Sequence, residues 1–193
     1  DSIQRAKDRA ATLLAFEQIG GAGAALAIAR AYVSDRTAFG RAIGSYQSIK
    51  HALADVWVKL ETARGHAYYA LCAMTSGGED FPLAAAAAHV SASDAFEMAA
   101  RVCVHVHGGI GFTWEAAPQL YYRRARALSA FLGSTQAWRD DLGRRLYQLD
   151  QHPLTAERKL IVALGVHEAD VVARRPRTDA ARREPQPLCR EPL

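Results

Sequence analysis

Cysteine is scarce in this 193-residue sequence: Cys72, Cys103 and Cys189 are the only three, none shares CxxC spacing with another, and an odd number cannot all pair. That pattern argues against a disulfide framework and a thiolate zinc site, and a reducing, cytoplasmic setting is expected. Proline is scarcer still where it would matter. Of seven, Pro176, Pro185, Pro187 and Pro192 fall in the last twenty residues, so the long remainder is almost free of helix breakers. Long apolar runs are missing too. None approaches the ~20 uninterrupted residues of a membrane helix, no charged-then-apolar leader precedes the first periodic segment, and no membrane association is expected. An excess of one charge is also absent once the net +4 is located. Residues 174–193 carry six Arg against three acids, so the other 173 residues hold 18 basic and 17 acidic groups. A groove that neutralises phosphates needs clustered Lys and Arg, so nucleic acid is not an expected partner.

What is present is alanine, leucine and a helical period. The 50% hydrophobic content is enough for one core. From Ser2 to about Val33, Leu13, Phe16, Gly20, Ala24, Ala27 and Ala31 recur at steps of three and four and mark the expected apolar face of a first helix. Gly20, Gly21 and Gly23 each cost about 1 kcal/mol of helix propensity, which close helix packing would offset. Gly21-x-Gly23 is not a dinucleotide fingerprint, because Leu26 holds the third glycine position and no strand precedes it. A second helix is expected from about Tyr46 to Met74, with the stripe Ile49, Leu53, Val56, Leu60, Ala63, Ala67, Leu71, Met74 buried and a glycine C-cap at Gly77-Gly78.

Pro82 suits the first turn of a third helix running to about Val106, whose Ala84–Ala88 run implies close contacts on more than one side. The glycine-rich loop His107–Thr113 separates it from a fourth helix near Pro118–Leu128, and a fifth follows Ser134 to about Gln151. With no period-2 stretch, the expected fold is all-α, an up-and-down helical bundle over residues 1–151. Residues 152–173 form a further helix candidate, and residues 174–193 are an Arg/Pro-rich tail of disordered composition.

Two motifs carry chemistry. Arg36 precedes Phe39-Gly40 at a chain reversal, so a guanidinium and an aromatic face are presented together, as for a phosphate and a ring; a simple helix end has the same pattern. His107-Gly108-Gly109-Ile110-Gly111 offers backbone amides clear of side chains, as a phosphate nest does, and as glycine loops between helices also do. Asp140 and Asp141 are adjacent and splay on a helix, His105-x-His107 lacks the i,i+4 spacing of paired ligands, and no metal site is expected. Glu115 reads as a helix cap.

The stretches Tyr32–Val56 (YVSDRTAFGRAIGSYQSIKHALADV) and His107–Arg124 (HGGIGFTWEAAPQLYYRR) together resemble the C-terminal helical domain of the acyl-CoA dehydrogenases, flavin enzymes that desaturate acyl thioesters between the α and β carbons. The resemblance spans roughly Ala10 to Leu146. It implies FAD lying across a subunit boundary, with Arg36 on its phosphate region and Phe39 packed nearby. It further implies that Gly108 and Gly109 receive the adenine and pyrophosphate end from a neighbouring subunit. Where the family carries a glutamine shortly before these glycines, this chain has His105, which still donates or accepts a hydrogen bond. An acyl-CoA thioester is the implied substrate, and a homologous subunit or a second copy the implied partner.

Desaturation requires a general base for the α proton while hydride leaves the β carbon for the flavin. In most of the family that base is the glutamate of a Tyr-Glu-Gly-Thr element. Counting without gaps from Gly108-Gly109 sets Phe131-Leu132-Gly133-Ser134 on it, so Leu132 stands at the glutamate position, while Ser134 and Gln136 keep polar contacts expected around the flavin. Some relatives carry the base on the first helix of the domain; counting back from Phe39-Gly40 gives Ala10. Neither side chain accepts a proton. Asp8 and Glu17, the nearest carboxylates, read more simply as solvated or interhelical groups. The expectation is an acyl-CoA dehydrogenase component that helps to build an FAD site without its own base, the base residing on a partner chain. The alternatives are a fragment of an active enzyme with an unrecognised base, and a scaffold or nucleic-acid-binding protein on a flavin fold.

Overall fold

The computed structural model describes residues 2–150; the further helix over 152–173 and the tail over 174–193 lie outside the described residues. Five helices follow in order: α1 (Ser2–Asp35), α2 (Gln47–Ser76), α3 (Phe81–His107), α4 (Pro118–Phe131) and α5 (Thr135–Asp150). The helix-only expectation misses one feature. Between α1 and α2 the chain makes a small antiparallel hairpin, β1 (Thr37–Ala38) with β2 (Arg41–Ala42), in the register Thr37 to Ala42 and Ala38 to Arg41. Two-residue strands are too short to show alternation in a sequence.

The connections follow the local signals. Gly77 closes α2 with φ 70° and ψ 26°, its N–H reaching the Ala73 carbonyl, and Pro82 occupies the first turn of α3, where a missing N–H costs nothing. α3 is the central helix. Of its 27 residues 17 are buried, including all of Ala84–Ala88, because α1, α2, α4 and α5 each pack on it. In α2 the stripe holds at Val56, Leu60, Ala63 and Ala67. It drifts by one position afterwards, to Ala70 and Ala73, leaving Leu71 and Met74 half-buried as Ile49 and Leu53 are.

The face expected for α1 is corrected. The buried positions are Asp8, Ala11, Thr12, Ala15, Gln18, Ile19, Ala22, Ala25, Ala29 and Val33, whereas Leu13 is 61% exposed and Gly20, Ala27 and Ala31 are exposed. Alanine gives little hydropathy contrast around a helix, and the inner face carries three polar residues that mask it. Each makes an internal contact: Gln18 Nε2 donates to Ser93 Oγ at 2.9 Å, Thr12 Oγ1 donates to the Asp8 carbonyl at 3.0 Å, and Asp8 Oδ1 pairs with Arg145 at 3.1 Å, while Gln18 Oε1 and Asp8 Oδ2 are buried without a hydrogen-bond partner among the described residues. Close packing offsets the glycine cost only at Gly21, which faces the Phe96 ring; Gly20 faces open space. By length and composition alone α1 is also apolar enough to cross a bilayer, though its inner face is occupied by α3.

Candidate functional site

The first motif is built on the hairpin. Arg36 N–H donates to the Tyr32 carbonyl at 2.9 Å and the Arg36 carbonyl accepts from Ile43 N–H at 2.8 Å, so the chain turns back on itself directly after α1. The two loop residues, Phe39 at φ 52° and Gly40 at φ 79°, give the doubly positive turn that suits the twist of a tight hairpin. A phenylalanine in that region is strained by about 1–2 kcal/mol, and here the ring is 97% exposed, so no burial in this chain offsets the strain. Tyr46 steadies the hairpin: its hydroxyl donates to the Ala38 carbonyl at 3.2 Å and the Arg41 guanidinium stacks 3.9 Å above its ring. Arg36 itself is exposed and has no ion-pair partner among the described residues.

The second motif lies at the same end of the bundle. Tyr32, one turn before Arg36, stacks on His107 with ring centroids 4.0 Å apart and planes tilted by 24°. His107 Nδ1–H donates to the Cys103 carbonyl at 2.7 Å, which fixes the ring at the close of α3. The loop then enters a 3-10 turn, Gly108–Phe112, through Gly108 at φ 62° and ψ −141°, a conformation open to glycine alone. A Cβ at Gly111 would lie 2.7 Å from the Val104 carbonyl, so this residue packs the loop onto α3, whereas Gly108 and Gly109 face open space. Exposed Ile110, Phe112 and Trp114 follow, the last under the Arg123 guanidinium at 5.2 Å. A free cation, an unburied ring and a glycine surface clear of side chains at one end of the bundle suit the pyrophosphate and ring of a dinucleotide. His105 is exposed on the last turn of α3, its carbonyl accepting the Gly108 N–H.

The other positions lie near the opposite end of α1. Ala10 and Leu132, reached by two separate counts along the sequence, line one cleft of about 300 Å³ together with Leu13, Leu14, Glu17 and Phe131. Glu17 is the only ionisable side chain of that lining, and its Oε1 accepts from Arg124 Nε at 2.8 Å and from Nη2. Asp8 is turned away into the bundle, 1% exposed, held by Gln4 at 3.0 Å and by Arg145, which also contacts Asp141 at 2.6 Å. Ser134 caps α5, its Oγ accepting the Ala137 N–H at 3.2 Å, and Gln136 donates to Asp140 at 2.9 Å, so both side chains are engaged within that helix. Ala10 and Arg36, 26 residues apart on or just past one helix, are separated by about 39 Å.

Two supporting residues, Trp138 and His89, carry no motif of their own. The Trp138 indole N–H donates to the Leu132 carbonyl at 3.2 Å and so fixes the α4–α5 turn, where Gly133 takes φ 104°. His89 packs on that indole with centroids 4.8 Å apart. Burial, with Lys7 adding to it, lowers its pKa to about 4, which keeps the ring neutral. Arg124 lies inside a motif, but only the fold shows that it reaches Glu17. Burial pushes the Cys103 thiol up to about 11, so it is no nucleophile. Among the described residues no cluster of three His, Cys, Asp or Glu is placed to hold a metal.

Comparison with known proteins identifies the family. The sequence profile described as "Acyl-CoA dehydrogenase, C-terminal domain" matches residues 2–147. The acyl-CoA dehydrogenase IpdE2 of Mycolicibacterium smegmatis is 41% identical over 126 residues, which are 65% of this chain and 39% of that protein. The acyl-CoA dehydrogenase FadE34 of Mycobacterium tuberculosis is 39% identical over 181 residues, 93% of this chain and 24% of that protein. The chain thus spans well under half the length of these relatives. The butyryl-CoA dehydrogenase structure of Megasphaera elsdenii superposes with a TM-score of 0.71 at 30% identity, over 76% of this chain and 38% of that one. A variant of the Tcur3481–Tcur3483 steroid ACAD does so at 0.72 and 32%, over 75% and 40%. With residues 2–147 matched by that profile, the chain belongs to the acyl-CoA dehydrogenase family, whose members are FAD-dependent.

Proposed function

We propose that this chain is part of an acyl-CoA dehydrogenase component that helps to form an FAD site for α,β-desaturation of an acyl-CoA thioester and brings no catalytic base of its own. The observation that carries the reading is the convergence of Ala10 and Leu132 on one cleft whose single carboxylate, Glu17, is tied to Arg124. On this reading a homologous partner chain supplies the base in a mixed oligomer. Arg36 neutralises the cofactor's pyrophosphate, the side-chain-free surface at Gly108 and Gly109 receives the adenine and pyrophosphate end, and Phe39 covers a ring at the boundary between chains. When bound, FAD supplies the acceptor for the hydride that leaves the β carbon. Leu13, Leu14, Phe131 and Leu132 offer apolar surface that excludes water around the acyl group. The 39 Å or so between Ala10 and Arg36 exceeds the reach of one extended dinucleotide, so each chain would serve two cofactors, which supports assembly from more than one chain.

The test is anaerobic bleaching of the flavin by an acyl-CoA in the complete protein that contains this chain. Without a partner the wild type should bleach slower by about 10²–10⁴-fold than an enzyme with its base, and Leu132→Glu should recover part of that rate. Rapid bleaching by the wild type would overturn the reading in favour of the second one, in which Glu17, already at the cleft, is the base; Glu17→Gln would then abolish it. Independently, Arg36→Ala should lower flavin retention, since a charge-assisted contact to phosphate is lost.

A further inference from the structure

Helix α5 has a narrow hold on the bundle. It packs chiefly on α3, and Trp138 is the one buried side chain among its described residues. The indole sits against Ala11 of α1 and Ala86 of α3, with the His89 ring 4.8 Å away and the Lys7 ammonium 4.8 Å over its face. Leu132 packs against the same cluster, and its carbonyl accepts the indole N–H, so the seat of Trp138 and the Leu132 wall of the cleft move as one piece. His89 is the odd member of that seat. It is fully buried and neither ring nitrogen has a hydrogen-bond partner among the described residues, although buried polar groups are ordinarily paired. A neutral imidazole still offers the indole an apolar face. An imidazolium there would carry a charge and two N–H donors with no acceptor and no water.

We infer that α5 and the 132–134 turn form a proton-released flap: a proton taken up by His89 unseats Trp138, frees the turn and opens the cleft that Ala10 and Leu132 share. The surrounding charges do not stabilise the protonated ring. On α1, Lys7 repels it, and Asp8 is joined to Arg145, which also holds Asp141 on α5. Arg139 of α5 is answered by Asp94, and the groups of α2, Lys59 and His66, stand beside Val90 and Ser91 in a separate cavity. The sign follows. Seated, the ring takes up its proton only at about 4, whereas released into water it does so near 6.5, so acid favours the released flap. Between about pH 7 and pH 5 the ratio of seated to released flap should fall about 20-fold. Linkage makes the effect reciprocal, since a ligand that braces Leu132 lowers the proton affinity of His89 by the factor by which the proton weakens that ligand. Assignment of the cleft to an acyl group rests on the function proposed above; release of the flap does not, and it is read without flavin or substrate.

Amide hydrogen exchange on the 193-residue chain tests this, with rates corrected for the intrinsic pH dependence of exchange. Amides of residues 132–146 should be less protected than those of the α1–α3 contact at every pH, which marks a separate opening, and their protection should fall about 20-fold between about pH 7 and pH 5. His89→Phe keeps a ring against the indole but takes up no proton, and should abolish the fall. Lys7→Met, a change at an exposed position, removes the repulsion from the seated imidazolium and should make the fall smaller. Protection that is level with pH in the wild type would overturn the inference, and so would an equal fall in His89→Phe. Equal protection of α5 and the α1–α3 contact would overturn it too, since only the whole bundle would then open.

Discussion

Three glycines within one turn of α1 should respond to alanine in opposite directions. At Gly20 an added Cβ meets nothing within 4 Å, so Gly20→Ala should stabilise by the helix-propensity difference alone, about 1 kcal/mol. At Gly23 the new methyl would lie 3.6 Å from Arg64 Nη2 and 3.9 Å from Leu60 Cδ2, ordinary contacts, so the gain should be similar. At Gly21 it would lie 2.5, 2.8 and 2.9 Å from three outer carbons of the Phe96 ring. Phe96 is 1% exposed and its ring cannot swing clear. Overpacking of this kind costs about 1–3 kcal/mol, and since the propensity gain is common to all three variants, that cost is the whole difference between Gly21→Ala and Gly20→Ala. Urea unfolding followed by far-ultraviolet circular dichroism measures it as a shift in midpoint at constant slope. If Gly21→Ala proved as stable as Gly20→Ala, α1 would present to α3 the face that the apolar spacing implies, and the packing described above would be wrong.

Leu60→Ala should cost about 2–5 kcal/mol, and Leu53→Ala, at a half-buried position, clearly less; equal costs in chemical denaturation would contradict the register of α2. His89 should make stability fall with acid. As pH drops below 6.5 the unfolded chain takes up a proton that the buried imidazole refuses until about 4, so stability is lost across that window, by up to about 3 kcal/mol. Urea midpoints at several pH values should show a shallower decline in His89→Phe, and an identical decline would mean the ring titrates freely. Trp138→Phe removes the bond to the Leu132 carbonyl, and a loss of about 1 kcal/mol is expected, with a stability unchanged in thermal unfolding counting against the anchoring role.

The sequence conveys the helices because their punctuation is local: Gly77 and Pro82 end one and start the next without reference to anything distant. Burial is less legible, since it depends on partners. Gln18 looks outward-facing until Ser93 is seen opposite it, and Asp8 until Arg145 arrives from α5. The hairpin is invisible because its turn is Phe39-Gly40 rather than one of the asparagine or aspartate pairs that usually announce such turns. Simple counting along the chain does bring Ala10 and Leu132 to the same cleft, because helices hold their register over long distances. The ion pair that occupies Glu17 could not be anticipated, as Arg124 lies 107 residues away in sequence.

The alanine core has a consequence at the level of the genetic code. Most buried positions of α1, α2 and α3 already carry the smallest side chain with a Cβ, so truncation has little left to remove there. Change by single nucleotides runs the other way: one substitution at the middle base of an alanine codon gives valine, glycine, aspartate or glutamate, and one at the first base gives serine, threonine or proline. All but glycine are larger or break the helix. The tolerated mutations of this bundle should therefore be sparse along its centre line and asymmetric, with Ala85, Ala88, Ala92 and Ala95 resisting even valine while Val56 and Leu60 accept aliphatic exchange.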